Sequence, residues 1–235
     1  MSPPATFPLN ISLPVALVAI LISAFVCRYA WREASRKVGN RQVSVIGISF
    51  LLVLILQSVR FSTSAGIYSH FSGAVLVAAV LGPVFSCLIL AAALTVRALL
   101  FADYPLINLG IVILNVGVLG GLVAGRYILN YAKGLFPHTH EGFIKAVSFT
   151  AWCSLILSSL AYVLELIVSG NPLYTELIGA HFLVGVGEAL FTGIIITSVL
   201  KRRPDLVVTY CCGDDKDDCI HNHHDHHHDD IYSHN

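Results

Sequence analysis

The sequence predicts an all-α polytopic membrane protein: a bundle of about seven transmembrane helices with a disordered, histidine-rich C-terminal tail. Three observations predict it. Of 235 residues, 56% are hydrophobic and only 12% are charged, about half the charge of an ordinary soluble domain. Mean hydropathy is +0.76, so a water-soluble fold would leave large apolar areas exposed and the bilayer is the fitting solvent. Apolar runs long enough to cross a bilayer recur along the chain, and basic residues flank them in an orderly way.

The runs fall at 11–30, 43–59, 71–101, 106–129, 146–168 and 177–200. The third is too long for one ordinary span, and Gly82-Pro83 interrupts it. Proline lacks a backbone donor and breaks a helix, so this run predicts two spans, the first of them short. Charge supports the same count independently. Arg28, Arg32, Arg36, Lys37 and Arg41 fill the first connection; Arg126, Lys133 and Lys145 flank or fill the connection after the fifth span; Lys201, Arg202 and Arg203 follow the last. Only the split count puts all three clusters on one face, which the positive-inside rule makes cytoplasmic. The expected topology is a multi-pass protein of the cell inner (plasma) membrane, N-terminus outside and tail inside. Two regions follow, a transmembrane domain over 1–206 and a polar tail over 207–235 that is expected to stay disordered.

Several classes are disfavoured. The formal net charge is zero, which argues against a nucleic-acid partner. There is no GxxxxGK[ST] phosphate loop and no HExxH pair, so neither a P-loop ATPase nor a zincin-type protease is expected. No catalytic serine or cysteine arrangement stands out, and the chain reads as a non-enzyme. Residues 1–10 lack a basic n-region and a cleavage site, so no cleavable signal is expected. Cys27, Cys87 and Cys153 lie in apolar runs and the other cysteines in the tail, which is not a secreted disulfide framework.

Histidine carries the chemistry. Seven of eleven lie between positions 221 and 234, where His221, His223, His224, His226, His227 and His228 interleave with aspartates. Imidazoles bind Ni²⁺, Co²⁺, Zn²⁺ and Cu²⁺, so the tail reads as a weak multi-site metal buffer, or else as a purification tag or a solvated tail without a role. His70, in Gly66-Ile67-Tyr68-Ser69-His70-Phe71-Ser72-Gly73, stands at the outer end of a span. It is either a functional ligand or an interfacial histidine bonded to a neighbouring carbonyl. His181 and Glu188 are seven residues apart, two helical turns, with Gly185 on the same face. A lone intramembrane carboxylate costs about 2.5–3.5 kcal/mol. Such groups should face the interior and pair, with Arg97 a candidate partner for Glu188 or Glu165; the readings are an interior polar network, which is favoured, or direct metal ligation. Asn115 lies in a span dense in glycine (Gly110, Gly117, Gly120, Gly121, Gly125), lining a polar cavity or bridging helices.

In order, Gly66 to Leu81, Gly82-Pro83, Arg97-Ala98-Leu99-Leu100-Phe101-Ala102-Asp103, Ile113-Leu114-Asn115-Val116-Gly117-Val118, Leu164-Glu165-Leu166, His181 to Ala189 and Arg203-Pro204-Asp205-Leu206 resemble the CbiM/NikM family. These are the substrate-capture (S) components of energy-coupling-factor cobalt and nickel transporters. The resemblance implies a six-helix S-component core plus an N-terminal helix. It implies Co²⁺ or Ni²⁺ as transported ligand, no covalently bound cofactor, and cobalt import in the service of cobalamin biosynthesis. The implied partners are a membrane coupling (T) protein and two cytoplasmic ATPase subunits, with a small accessory membrane subunit as a further candidate. The family's metal ligands are the N-terminal amine, the amide and imidazole of the second residue, and a loop histidine, which His70 matches. Here Met1 and Ser2 offer only backbone nitrogens and Pro3 has no amide hydrogen, a departure from the family's histidine at position 2. Arg97 departs too, where a neutral glutamine is expected. The competing readings are an S component of the same fold for another substrate, and a membrane metal sensor or buffer that transports nothing.

Overall fold

A computed structural model describes residues 11–62, 68–102, 104–172 and 175–210. Within these, seven helices follow the predicted order: α1 (Leu13–Ser35), α2 (Asn40–Ser58), α3 (Ala74–Leu81), α4 (Pro83–Phe101), α5 (Leu106–Leu135), α6 (His140–Val168) and α7 (Thr175–Arg202). A short antiparallel hairpin, β1 (Arg60–Ser62) and β2 (Tyr68–His70), separates α2 from α3. Five helices are long and apolar enough to cross a membrane, and α2 adds a shorter apolar one.

The third helix departs from an ordinary span. With 8 residues it rises only about 12 Å, against a hydrocarbon core of about 30 Å. Every α3 residue except Val80 is buried. A helix apolar all round belongs in the centre of a bundle, and α3 occupies that place, packed by α2, α4, α5, α6 and α7. The turn into α4 is made by Gly82 at φ +93°, a conformation side chains resist, and Pro83 starts α4 where no helical donor is needed. The chain folds back there, because the Ser86 hydroxyl on α4 donates to the Ala74 carbonyl at the start of α3 at 2.7 Å.

The middle of α5, Ile113–Ile128, winds as a π-helix. Such geometry is usually confined to one turn. Its inward face follows the wider winding: Asn115, Gly120 and Gly125, at intervals of five, are all buried. The glycines admit neighbouring helices closely. A Cβ on Gly121 would stand 2.8 Å from Ser86 Oγ, and one on Gly125 would stand 2.6 Å from Ala78 Cβ.

The described chain also remains packed beyond Leu206, the predicted end of the transmembrane domain. Val207 is buried. The amides of Val208 and Thr209 donate to the carbonyls of Val80 and Ala79 at 3.1 and 3.2 Å. These carbonyls end α3, where no intrahelical donor remains, so residues 207–210 cap the half-helix from outside it. Lys133 donates to the Thr209 carbonyl, and Tyr210 bonds His140 at the start of α6. The same end of the bundle holds the close of α1, where Ala30 and Ala34 pack with Leu81 and Val84. All three basic clusters therefore gather at one end, as their spacing predicted, and the hairpin stands toward the other.

Candidate metal-capture site

The site begins with a buried carboxylate. Glu188, about halfway along α7, is 1% exposed. Its Oε2 accepts the Ser72 amide at 2.8 Å; its Oε1 accepts the Ser72 hydroxyl at 2.5 Å and the Gly73 amide at 3.0 Å. The Ser72 hydroxyl also accepts from the Ala74 amide at 3.1 Å, so the carboxylate meets the donor end of α3 through a serine relay. Negative charge is favoured there because the first amides of a helix have no intrahelical partner.

From this anchor the chain climbs two residues to His70, which closes the hairpin opposite Arg60. Phe71, between them, lies against α7: its ring stacks on Phe191 at 6.1 Å, meets Phe61 of β1 edge-on at 5.0 Å, and fills the space a Cβ would need at Gly187. From α2, Gln57 Nε2 reaches the Ser72 carbonyl at 3.4 Å, and the backbone carbonyl of Gln57 takes a short hydrogen bond from Arg97 on α4. Three helices thus hold the segment carrying His70. The half-buried imidazole has Nδ1 3.0 Å from the Phe71 carbonyl. A carbonyl only accepts, so Nδ1 is the donor in this contact. Gln57 Oε1 and Ser69 Oγ are buried beside this segment with no hydrogen-bond partner among the described residues.

Other predicted residues sit elsewhere. Asn115 on α5 donates from Nδ2 to Glu165 Oε2 at 2.8 Å, and Ser158 donates to the Asn115 carbonyl at 2.7 Å. This pair ties α5 to α6, and Asn115 Oδ1 stays buried without a partner. The expectation that Arg97 neutralises Glu188 or Glu165 is corrected: the hydrogen bonds found for those carboxylates go to the Ser72–Gly73 turn and to Asn115, while Arg97 turns to α2. His181 does not join Glu188 either. Its Nδ1 donates to the Leu177 carbonyl of its own helix at 2.8 Å. Gly185, between them, makes the expected close contact, with Trp152 Cδ1 2.9 Å from where its Cβ would stand. Met1, Ser2 and the tail histidines lie outside the described residues.

Ser72, Gly73, Gln57 and Phe71 have roles that spacing alone did not assign. The available signals were a polar residue ending an otherwise apolar run at Gln57, and the Ser-Gly pair just before α3. Gly73 has φ +68°, and a Cβ there would stand 3.2 Å from Leu56 Cδ1 and 3.3 Å from Val53 Cγ2. A left-handed conformation costs a non-glycine residue about 1–2 kcal/mol. Gly73→Ala should therefore lower the unfolding midpoint in detergent by that order, with the loss confined to folding stability if the turn re-forms.

Comparison with known proteins decides the family. Residues 9–206 match the profile described as "Cobalt uptake substrate-specific transmembrane region" (CbiM). The chain belongs to the CbiM family. Among CbiM relatives it is 28% identical over 194 residues to a putative metal transport protein of Haloquadratum walsbyi, covering 80% of this chain and 85% of that one. It is 25% identical over 199 residues to a putative cobalt transport protein CbiM of Methanococcus voltae, covering 81% and 88%. A putative fused nickel transport protein of Archaeoglobus fulgidus is 26% identical over 175 residues, and the match covers 57% of that longer protein. Two crystal structures described as transition metal transporters share the fold. One has TM-score 0.74 at 21% identity, with 85% of this chain and 93% of the other aligned; the second has TM-score 0.73 at 22%, with 81% and 95%. This CbiM-family chain is accordingly a multi-pass membrane protein and a substrate-specific component for cobalt or nickel transport.

Proposed function

We propose that this protein captures Co²⁺ or Ni²⁺ at the hairpin face and delivers it inward as the S component of an energy-coupling-factor importer. His70 carries the reading. Its imidazole is oriented by the Phe71 carbonyl, on a segment gripped by three helices, at the position of the family's loop histidine. Neutral imidazole nitrogen is a good donor for both ions, and a backbone acceptor on the second ring nitrogen is the usual way a metal-binding histidine is oriented. The remaining nitrogens would come from Met1 and Ser2, giving a set with one imidazole fewer than the family's. The gathering of basic residues at the opposite end supports a cytoplasmic placement of that end, and the missing phosphate loop supports ATP hydrolysis on separate chains. The coupling protein and two ATPases belong to this proposal, as does a supply of cobalt to cobalamin biosynthesis.

Accumulation of labelled Co²⁺ and Ni²⁺ in cells producing this chain with a coupling protein and its ATPases is the test. Uptake should vanish when the phosphate-loop lysine of the ATPases is replaced. Uptake indifferent to that change would overturn the ATP-driven reading.

The orientation has its own test. With the tail on the release side, deleting the residues after Gly213 should leave the affinity of outward capture within about twofold, because no capture nitrogen is removed. A much larger loss, measured with protein inserted in one direction in vesicles, would place tail and hairpin on the same side.

A further inference from the structure

We infer that Glu188 is the positioning residue of the capture site: it fixes the turn that aims His70, and it does not bind the metal itself. The inference rests on the reading of His70 as a ligand.

Both carboxylate oxygens are already committed. Three donors from Ser72 and Gly73 surround them at 2.5–3.0 Å, and the group is buried on all sides. Charge-assisted hydrogen bonds are the strong ones, and a buried network loses more than one bond when a member is removed. The anchored turn lies two residues from His70, with Phe71 between them locked on α7. The imidazole's direction is therefore set by backbone whose amides are held by one side chain from a distant part of the sequence. The carbonyl of the same peptide faces Gln57 of α2, so donor and acceptor sides of the turn are both taken up. Substituting the carboxylate takes from the buried Ser72 and Gly73 amides the acceptor they have, and buried backbone donors need partners.

The test uses the full-length protein in detergent, with His221, His223, His224, His226, His227, His228 and His234 changed to asparagine and Cys211, Cys212 and Cys219 to serine to remove the tail's imidazole and thiol donors. Titration with CoCl₂ and with NiCl₂ gives affinities, and amide exchange follows residues 60–62 and 68–73. Glu188→Gln should weaken both metals about 10–100-fold, the range seen when an orienting partner of a metal ligand is lost. Exchange should quicken in that segment while α6 and the rest of α7 keep their protection. Ser72→Ala keeps the carboxylate and removes one of its three donors; it should shift affinity in the same direction by less, and it carries the test if Glu188→Gln does not fold. His70→Ala serves as reference. If His70→Ala binds as tightly as the parent, the reading of His70 fails. If His70→Ala loses binding while Glu188→Gln and Ser72→Ala stay within twofold of the parent, the role of Glu188 is overturned. The same holds if Glu188→Gln weakens binding only in step with a general loss of protection.

Discussion

The His70→Ala protein is expected to bind Co²⁺ and Ni²⁺ at least about 100-fold more weakly than the parent, a loss of about 2.8 kcal/mol, and to lose uptake with its partners present. The size follows from the donor inventory. In the proposed site Met1 and Ser2 would offer backbone nitrogens alone and Pro3 has no amide hydrogen, so His70 would bring the imidazole. Removing it leaves backbone donors alone, which do not hold these ions well at neutral pH because an amide must lose its proton to ligate. His70→Gln is the informative companion. It keeps a polar group of similar reach but no aromatic nitrogen, so it should behave like alanine in metal binding while leaving the unfolding midpoint unchanged. Recovery of affinity by glutamine would mean that His70 acts by packing.

How far this was visible in the chain differs between parts. The number and order of helices were legible because each is written in a local pattern: an apolar run, a proline, a basic flank. The half-length of α3 was not, since an eight-residue apolar stretch looks alike whether it begins a span or sits wholly inside a bundle. Its buried state depends on Glu188, which stands 115 residues after Gly73, and on residues 207–210, and no local pattern announces such partners. Arg97 shows the same limit. Opposite charges in apolar helices suggest a pair, yet the carboxylates found backbone and amide donors nearer to hand, and the guanidinium found a backbone carbonyl. His70 was legible as a candidate, and its ring bonds a neighbouring carbonyl, the contact the interfacial reading names; that bond orients the imidazole and is compatible with a ligand role.

The glycines make the point sharpest, and they yield the largest stability effect. Gly110 and Gly47 look alike in sequence, each a glycine in an apolar run. A Cβ on Gly47 would meet nothing within 4 Å, whereas one on Gly110 would stand 2.5–2.6 Å from Ile20, two of the three contacts being backbone atoms of α1. Beside that contact the Ser23 hydroxyl donates to the Gly110 carbonyl at 2.7 Å, so backbone approach and hydrogen bond together seat α1 on α5. Gly110→Ala must push the helices apart. Overpacking of this kind costs about 1–3 kcal/mol, and the strained or broken bond from buried Ser23 adds roughly 0.5–1.5 kcal/mol. Gly47→Ala, by contrast, should stabilise α2 by up to about 0.5–1 kcal/mol by removing a flexible residue from a helix interior. Denaturant unfolding of both variants in the same detergent is the comparison. Opposite signs are expected, with Gly110→Ala the larger. If the two shift alike, α1 is not seated on α5 through Gly110.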